Sequence, residues 1–100
     1  MPLFLLSVSY VAPSEQVEEY FAHHVEWLQK QYNTGAYIMF AKKVPSTGGV
    51  CLGIADSYKQ MEEITFTDPF FVSKVAKYDI QEIDLTQVNT ELLVGQARLK

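Results

Sequence analysis

Cysteine is nearly missing from this 100-residue chain. Cys51 stands alone, so no internal disulfide can form and the fold must rest on an apolar core. Cations are also few: eight Lys and Arg face twelve Asp and Glu, for a net charge of -4. Lys42-Lys43 is the only adjacent basic pair, and the chain lacks the basic face that a nucleic-acid binder uses to neutralise phosphates. No apolar run approaches the ~20 residues of a membrane span. The opening Met-Pro-Leu-Phe-Leu-Leu has no basic lead and reads as a first strand rather than a signal peptide. A cytoplasmic protein is the expectation. Histidine is limited to His23 and His24, which diverge by about 100° on a helix. Tyr20 and Leu28 occupy the positions four residues either side of His24, so the helical zinc spacing is absent and no metal site is expected. Gly48-Gly49 lacks the Lys and Ser/Thr of a phosphate loop and reads as a turn. No cofactor motif is present.

What the chain does have is hydrophobic content of 48%, enough for the core of one domain. Leu3 to Val11 reads as a largely buried strand. Pro13 punctuates, Ser14 is positioned to cap a helix, and Glu15, Glu18 and Glu19 fall near the positive end of its dipole. The helix is expected to reach about Tyr32, with Asn33-Thr34-Gly35 as its stop. Ala36 to Lys43 and Val50 to Ala55 form a hairpin around a Pro- and Gly-rich turn. Asp56 or Ser57 caps a second helix through about Thr65. Asp68-Pro69 breaks it and starts a short turn, Phe70 to Val75. Tyr78 to Ile83 is the last strand. Residues 85–100 form a tail with a short helix at about Glu91–Gln96.

This order, βαββαβ, predicts an α+β, ferredoxin-like sandwich with an antiparallel sheet over residues 1–84. Strict alternation in the hairpin puts Ala36, Ile38 and Phe40 on one face and Tyr37, Met39 and Ala41 on the other. Neither face is polar, and helices of this topology cover only one. A second copy of the sheet is the simplest cover, which predicts a homodimer; the tail is the alternative.

Phe21 to Leu28 carries the chemistry. Val17, Phe21, His24 and Leu28 share one helical stripe, which turns His24 inward and His23 to a half-exposed flank. A buried ring nitrogen needs a polar partner, since leaving it unpaired costs roughly 1–3 kcal/mol. Asp68, at a helix start beside Phe70 and Phe71, either caps that helix or meets His24. A neighbouring carboxylate fixes one imidazole tautomer and favours its charged form, whereas burial disfavours it; together they suit proton transfer. A core histidine satisfied by a structural partner is the plainer reading. Cys51 reads as a packed thiol. Trp27, Tyr32, Tyr37 and Tyr78 read as core or interface residues. Lys42 and Lys43 point to opposite faces, so only one, taken as Lys42, is available to an anionic substrate; a solvated strand end is the plainer reading. Phe40 and Phe70 are further candidate substrate contacts.

His24-Val25-Glu26-Trp27-Leu28, the Gly-Gly hairpin, the Asp56-Ser57 helix start, Asp68-Pro69-Phe70 and the Tyr78 strand occur in an order that resembles the YciI-like (YCII-related) family. The resemblance spans about Leu3 to Ile83. It implies a ferredoxin-like fold paired into a dimeric α/β barrel, and a site centred on a His and an Asp, here His24 and Asp68. It also implies kinship with muconolactone isomerases and with an enzyme that eliminates chloride from a chlorinated hydroxyquinol. Phe21 stands where many members carry Arg, and Phe40-Ala41-Lys42 where many carry Ser-Gly-Pro. The expected function is therefore a cofactor-free lyase or isomerase acting on a small cyclic or aromatic molecule. The alternative is a non-catalytic dimeric module that binds a small ligand or a protein.

Overall fold

A computed structural model describes residues 1–97; the last three residues of the predicted tail lie outside the described residues. The elements are β1 (Leu3–Tyr10), α1 (Ser14–Thr34), β2 (Tyr37–Lys42), β3 (Gly48–Ile54), α2 (Tyr58–Thr65), α3 (Pro69–Val72), β4 (Ala76–Ile83) and α4 (Thr90–Ala97). The four strands lie in the order β2-β3-β1-β4, and every neighbouring pair is antiparallel. This is the ferredoxin-like α+β arrangement: β3 separates β1 from β2, as expected when a crossover helix links two strands and a hairpin fills the gap.

β1 is the organising strand. Phe4, Leu6 and Val8 alternate onto the helical face and are buried there. Phe4 and Leu6 pack with Leu28 of α1, Tyr37, Cys51 and Met61. Val8 joins Val17, Phe70, Val75 and Ala76 in a second cluster around the start of α1 and the α3 turn. The site described below sits beside that second cluster.

Several local expectations are corrected. Ser14 is not the cap of α1. Pro13 holds that position without a side-chain cap, its carbonyl accepting from the Gln16 and Val17 N–H groups, while Ser14 Oγ donates to Glu15. The helix also continues past Tyr32 to Thr34, where Gly35 closes it in the left-handed conformation (φ 86°). Ser57, rather than Asp56, caps α2 by accepting from the Gln60 N–H. Strict alternation in β2 fails because the register shifts between Tyr37 and Met39. This bulge puts Tyr37 and Phe40, opposite Gly53 and Cys51, on the same face of the strand. Gly48 is required by close approach: at φ 154°, a Cβ there would lie 1.8 Å from the Val8 carbonyl oxygen.

The face away from the helices is apolar over only part of its area. Leu5 lies opposite Leu52 and Gln81, and Leu3 opposite Ile54 and Ile83, but Ser7 pairs with Asp79 and Ser9 with Lys77. The tail, the alternative cover, leaves its own apolar side chains in solvent. Leu85, Val88, Leu92 and Leu93 stay exposed, Leu92 by 68%. Among the described residues no helix is long and apolar enough to cross a membrane.

Candidate active site

α1 delivers His24. Its buried residues are Val17, His24 and Leu28, spaced by seven and four positions, which is the inward stripe of a helix. Phe21 does not share that burial: it lies at the stripe's edge and is 40% exposed. His23 is exposed, turned further out than expected.

α3 delivers Asp68. It holds the N-cap position of that single turn, and Pro69 follows at the first helical residue. Capping and pairing prove compatible in one carboxylate. Oδ1 accepts the Phe70 N–H at 2.9 Å and lies 2.8 Å from His24 Nδ1. Oδ2 accepts from the Tyr78 hydroxyl of β4. Asp68 is fully buried and His24 is 8% exposed. A buried carboxylate surrounded by three donors is held as an acceptor, so His24 Nδ1 carries the proton toward it. The neutral imidazole then keeps a lone pair on Nε2. No buried side-chain nitrogen or oxygen among the described residues lacks a partner. Nε2, which bonds no described group, is thus at the accessible edge of the ring. Phe70 fixes the plane of that ring, stacking on it with centroids 3.9 Å apart and 6° between planes.

Tyr78 was read from sequence as a core or interface aromatic, and its bond to Asp68 is the part of the site that reading missed. A tyrosine two residues into a strand gives no sign of what its hydroxyl meets; only the crossing of β4 past α3 does. Burial, then the neighbouring Tyr37 and Asp68 groups, pushes the Tyr78 phenol well above its ordinary range, so it remains a donor. Tyr37, likewise raised chiefly by burial, bonds Thr65 at 3.1 Å behind the site. Cys51 is pushed up to about 12 by burial and by the Asp68 charge, which leaves it a neutral thiol near pH 7.

The other sequence candidates scatter. Phe70 lies against His24, but Phe40 meets Tyr32 edge-on, with centroids 6.0 Å apart, and Lys42 is exposed on the edge strand. Lys43 reaches Ser9 Oγ at 3.3 Å. Among the described residues no three His, Cys, Asp or Glu side chains gather into a metal-ligand set.

A cavity of about 740 Å³ opens beside the pair, lined by Tyr10, Ala12, Ser14, Val17, Glu18, Phe21, Ser46 and Thr47. Neither His24 nor Asp68 reaches its wall. Phe70 links the two regions: it touches Tyr10 and Phe21 of the cavity wall at 5.7 and 6.4 Å between centroids, and its face carries the His24 ring. Burial, then the Asp68 charge, raises the Tyr10 phenol as well.

Comparison with known proteins agrees with this architecture. No curated protein matches the chain. Among solved structures, 5-chloro-2-hydroxyhydroquinone dehydrochlorinase from Burkholderia phenoliruptrix AC1100, in complex with 2,5-dihydroxybenzoquinone, superposes with a TM-score of 0.71 at 15% identity. The match covers 84% of this chain and 95% of that one, and it is a likeness of fold. The family model of the YCII-related domain matches residues 3–84, nearly all of the folded region before the tail, and the chain therefore belongs to the YCII-related family.

Proposed function

We propose that this protein is a cofactor-free lyase or isomerase that moves a proton on a small cyclic or aromatic molecule. His24 Nε2 is the base. It removes a proton from a ring carbon or hydroxyl, and Asp68 stabilises the imidazolium that forms. The freed electron pair enters the ring. In an elimination it expels a leaving group with its bonding electrons, and the imidazolium then releases its proton to water. In an isomerisation the same proton returns at another ring position. The reading is carried by one observation: Asp68 accepts simultaneously from Tyr78 and the Phe70 N–H and lies within hydrogen-bond reach of His24 Nδ1, which supports the tautomer that leaves the lone pair on Nε2. The dehydrochlorinase of the same fold, named for a chlorinated hydroxyhydroquinone, supports an aromatic substrate class.

The working unit in this proposal is a homodimer. The apolar half of the open sheet face, where Leu5 is exposed and Leu3, Leu52 and Ile54 are partly exposed, is the part a second copy would cover. Sedimentation at micromolar concentration is expected to give twice the chain mass; a stable monomer contradicts that element.

The test of function is a screen of hydroxylated aromatics and lactones by thermal shift, followed by absorbance assays on every compound that stabilises the fold. His24→Ala is expected to lower turnover by roughly 10²–10⁴, the contribution of a positioned base, and His23→Ala to leave it unchanged. Equal turnover in His24→Ala overturns the mechanism. A second reading, a non-catalytic dimeric binding module, is favoured by the separation of the cavity wall from the His24–Asp68 pair. Stabilisation by ligands without any turnover decides for it.

A further inference from the structure

The cavity beside the pair has its own chemistry. Its walls come from the end of β1, the first two turns of α1 and the β2–β3 turn. Tyr10 and Phe21 supply aromatic surface, Val17 and Ala12 apolar floor, and Ser14, Ser46 and Thr47 hydroxyls. Its volume, about 740 Å³, suits a small organic molecule. Glu18 is the one charged group in the lining, and no Lys or Arg is among the residues that form it.

The wider electrostatics point the same way. The chain has no Lys or Arg before Lys30, so β1 and the first half of α1 contribute no cation. The nearest basic residues of the hairpin do not line the cavity. Lys43 places its ammonium on Ser9, which alternates to the opposite side of β1 from Val8 and Tyr10. The amino end of α1 adds a partial positive charge of roughly half a unit. Two of its N–H groups, those of Gln16 and Val17, are already taken by the Pro13 carbonyl, and Glu15, Glu18 and Glu19 outweigh the remainder. Glu18 forms no ion pair among the described residues.

We propose that this cavity binds a small aromatic molecule carrying a cationic amine. Glu18 meets the ammonium, and the faces of Tyr10 and Phe21 take the ring and add cation–π attraction. The hydroxyls of Ser46 and Thr47 accept from the remaining ammonium hydrogens or from a ring hydroxyl. A carboxylate on the same molecule is repelled by Glu18, with no basic group among the lining residues to offset it. The proposal rests on the small-molecule reading above but not on His24 being a base.

The test is a nuclear magnetic resonance titration of the full chain with tyramine, tyrosol and para-hydroxyphenylacetate, which share a phenol and a short arm but end in a cation, a neutral hydroxyl and an anion. Tyramine is expected to bind about fivefold more tightly than tyrosol, and the acid about fivefold more weakly, the scale of a partly exposed charge pair. The shifted amides should include those of Ala12, Phe21 and Thr47. Glu18→Gln, an exposed substitution that leaves the fold intact, should erase the advantage of tyramine while tyrosol binds as before. Equal or tighter binding of the acid, absence of binding by all three probes, or an undiminished tyramine preference in Glu18→Gln overturns the proposal. If His24 proves inert in turnover, these affinities are expected to stand unchanged. The two readings therefore fail separately.

Discussion

The nest around Asp68 and the cavity in front of it lie on either side of Phe70 and are built on opposite terms. In the nest both carboxylate oxygens are buried and already committed, receiving an imidazole, a phenol and a backbone N–H, and only His24 Nε2 is left over. In the cavity the polar groups sit at an open wall, and Glu18 is exposed and without an ion-pair partner among the described residues. Water can replace what is lost in the cavity but not in the nest. The nest should therefore be sensitive to every deletion in stability and proton chemistry, and the cavity only in ligand preference.

Deleting the acceptor is the most severe way to probe that contrast. Asp68→Ala strands the Tyr78 hydroxyl, the His24 ring and the Phe70 N–H. It should cost several kcal/mol, since each buried donor left without its acceptor loses about 1–3 kcal/mol. Glu18→Ala, on the cavity wall, should leave the urea midpoint where it was. Similar losses in the two variants would erase the distinction.

Alkali probes the same contrast without mutation. The Cys51 thiol ionises near 9.0 when unfolded but only at about 12 in the fold. Between those values the unfolded chain has released a proton that the native chain retains, so stability falls as pH rises. The slope is up to ~1.4 kcal/mol per pH unit for each such group. Tyr37 and Tyr78 act in the same direction above 10.0, their ordinary value. Urea denaturation at increasing pH should show this decline beginning near pH 9, and Cys51→Ala should delay its onset toward 10. A flat profile would mean that water reaches the Cys51, Tyr37 and Tyr78 side chains in the fold.

Tyr78→Phe is a gentler cut, because the ring still packs and only one donor to Asp68 disappears. A loss of about 1–2 kcal/mol is expected by denaturation. Smallest of all is His23→Ala, which removes an exposed ring and should alter neither stability nor the resonances of His24.

Much of this architecture was legible in the sequence, and the failures have physical causes. The stripe of Val17, His24 and Leu28 is set by helical periodicity alone, so the inward direction of His24 follows from local geometry. The strand order follows from turn chemistry and crossover rules. The bulge after Tyr37 was hidden because alternation within β2 reveals nothing of the register against β3. Phe21 fell on the predicted stripe, yet the end of β1 and the β2–β3 turn leave its side chain at a cavity mouth. The cap at Ser14 failed because Pro13 supplies a carbonyl to two amides, leaving the serine hydroxyl to its neighbouring glutamate. The meeting of His24 with Asp68 spans 44 positions of the chain, and no local pattern encodes it.

The central claim is that Asp68 holds His24 with its proton on Nδ1 and its lone pair on Nε2. Nitrogen-15 resonance of the imidazole, read through its couplings to the ring carbons' protons, reports that tautomer without knowledge of any substrate. The account predicts that the neutral His24 ring is protonated at Nδ1, opposite to the usual preference of a free histidine side chain. A neutral His24 with its proton on Nε2 would contradict the account, because the nitrogen assigned as the base would already be occupied.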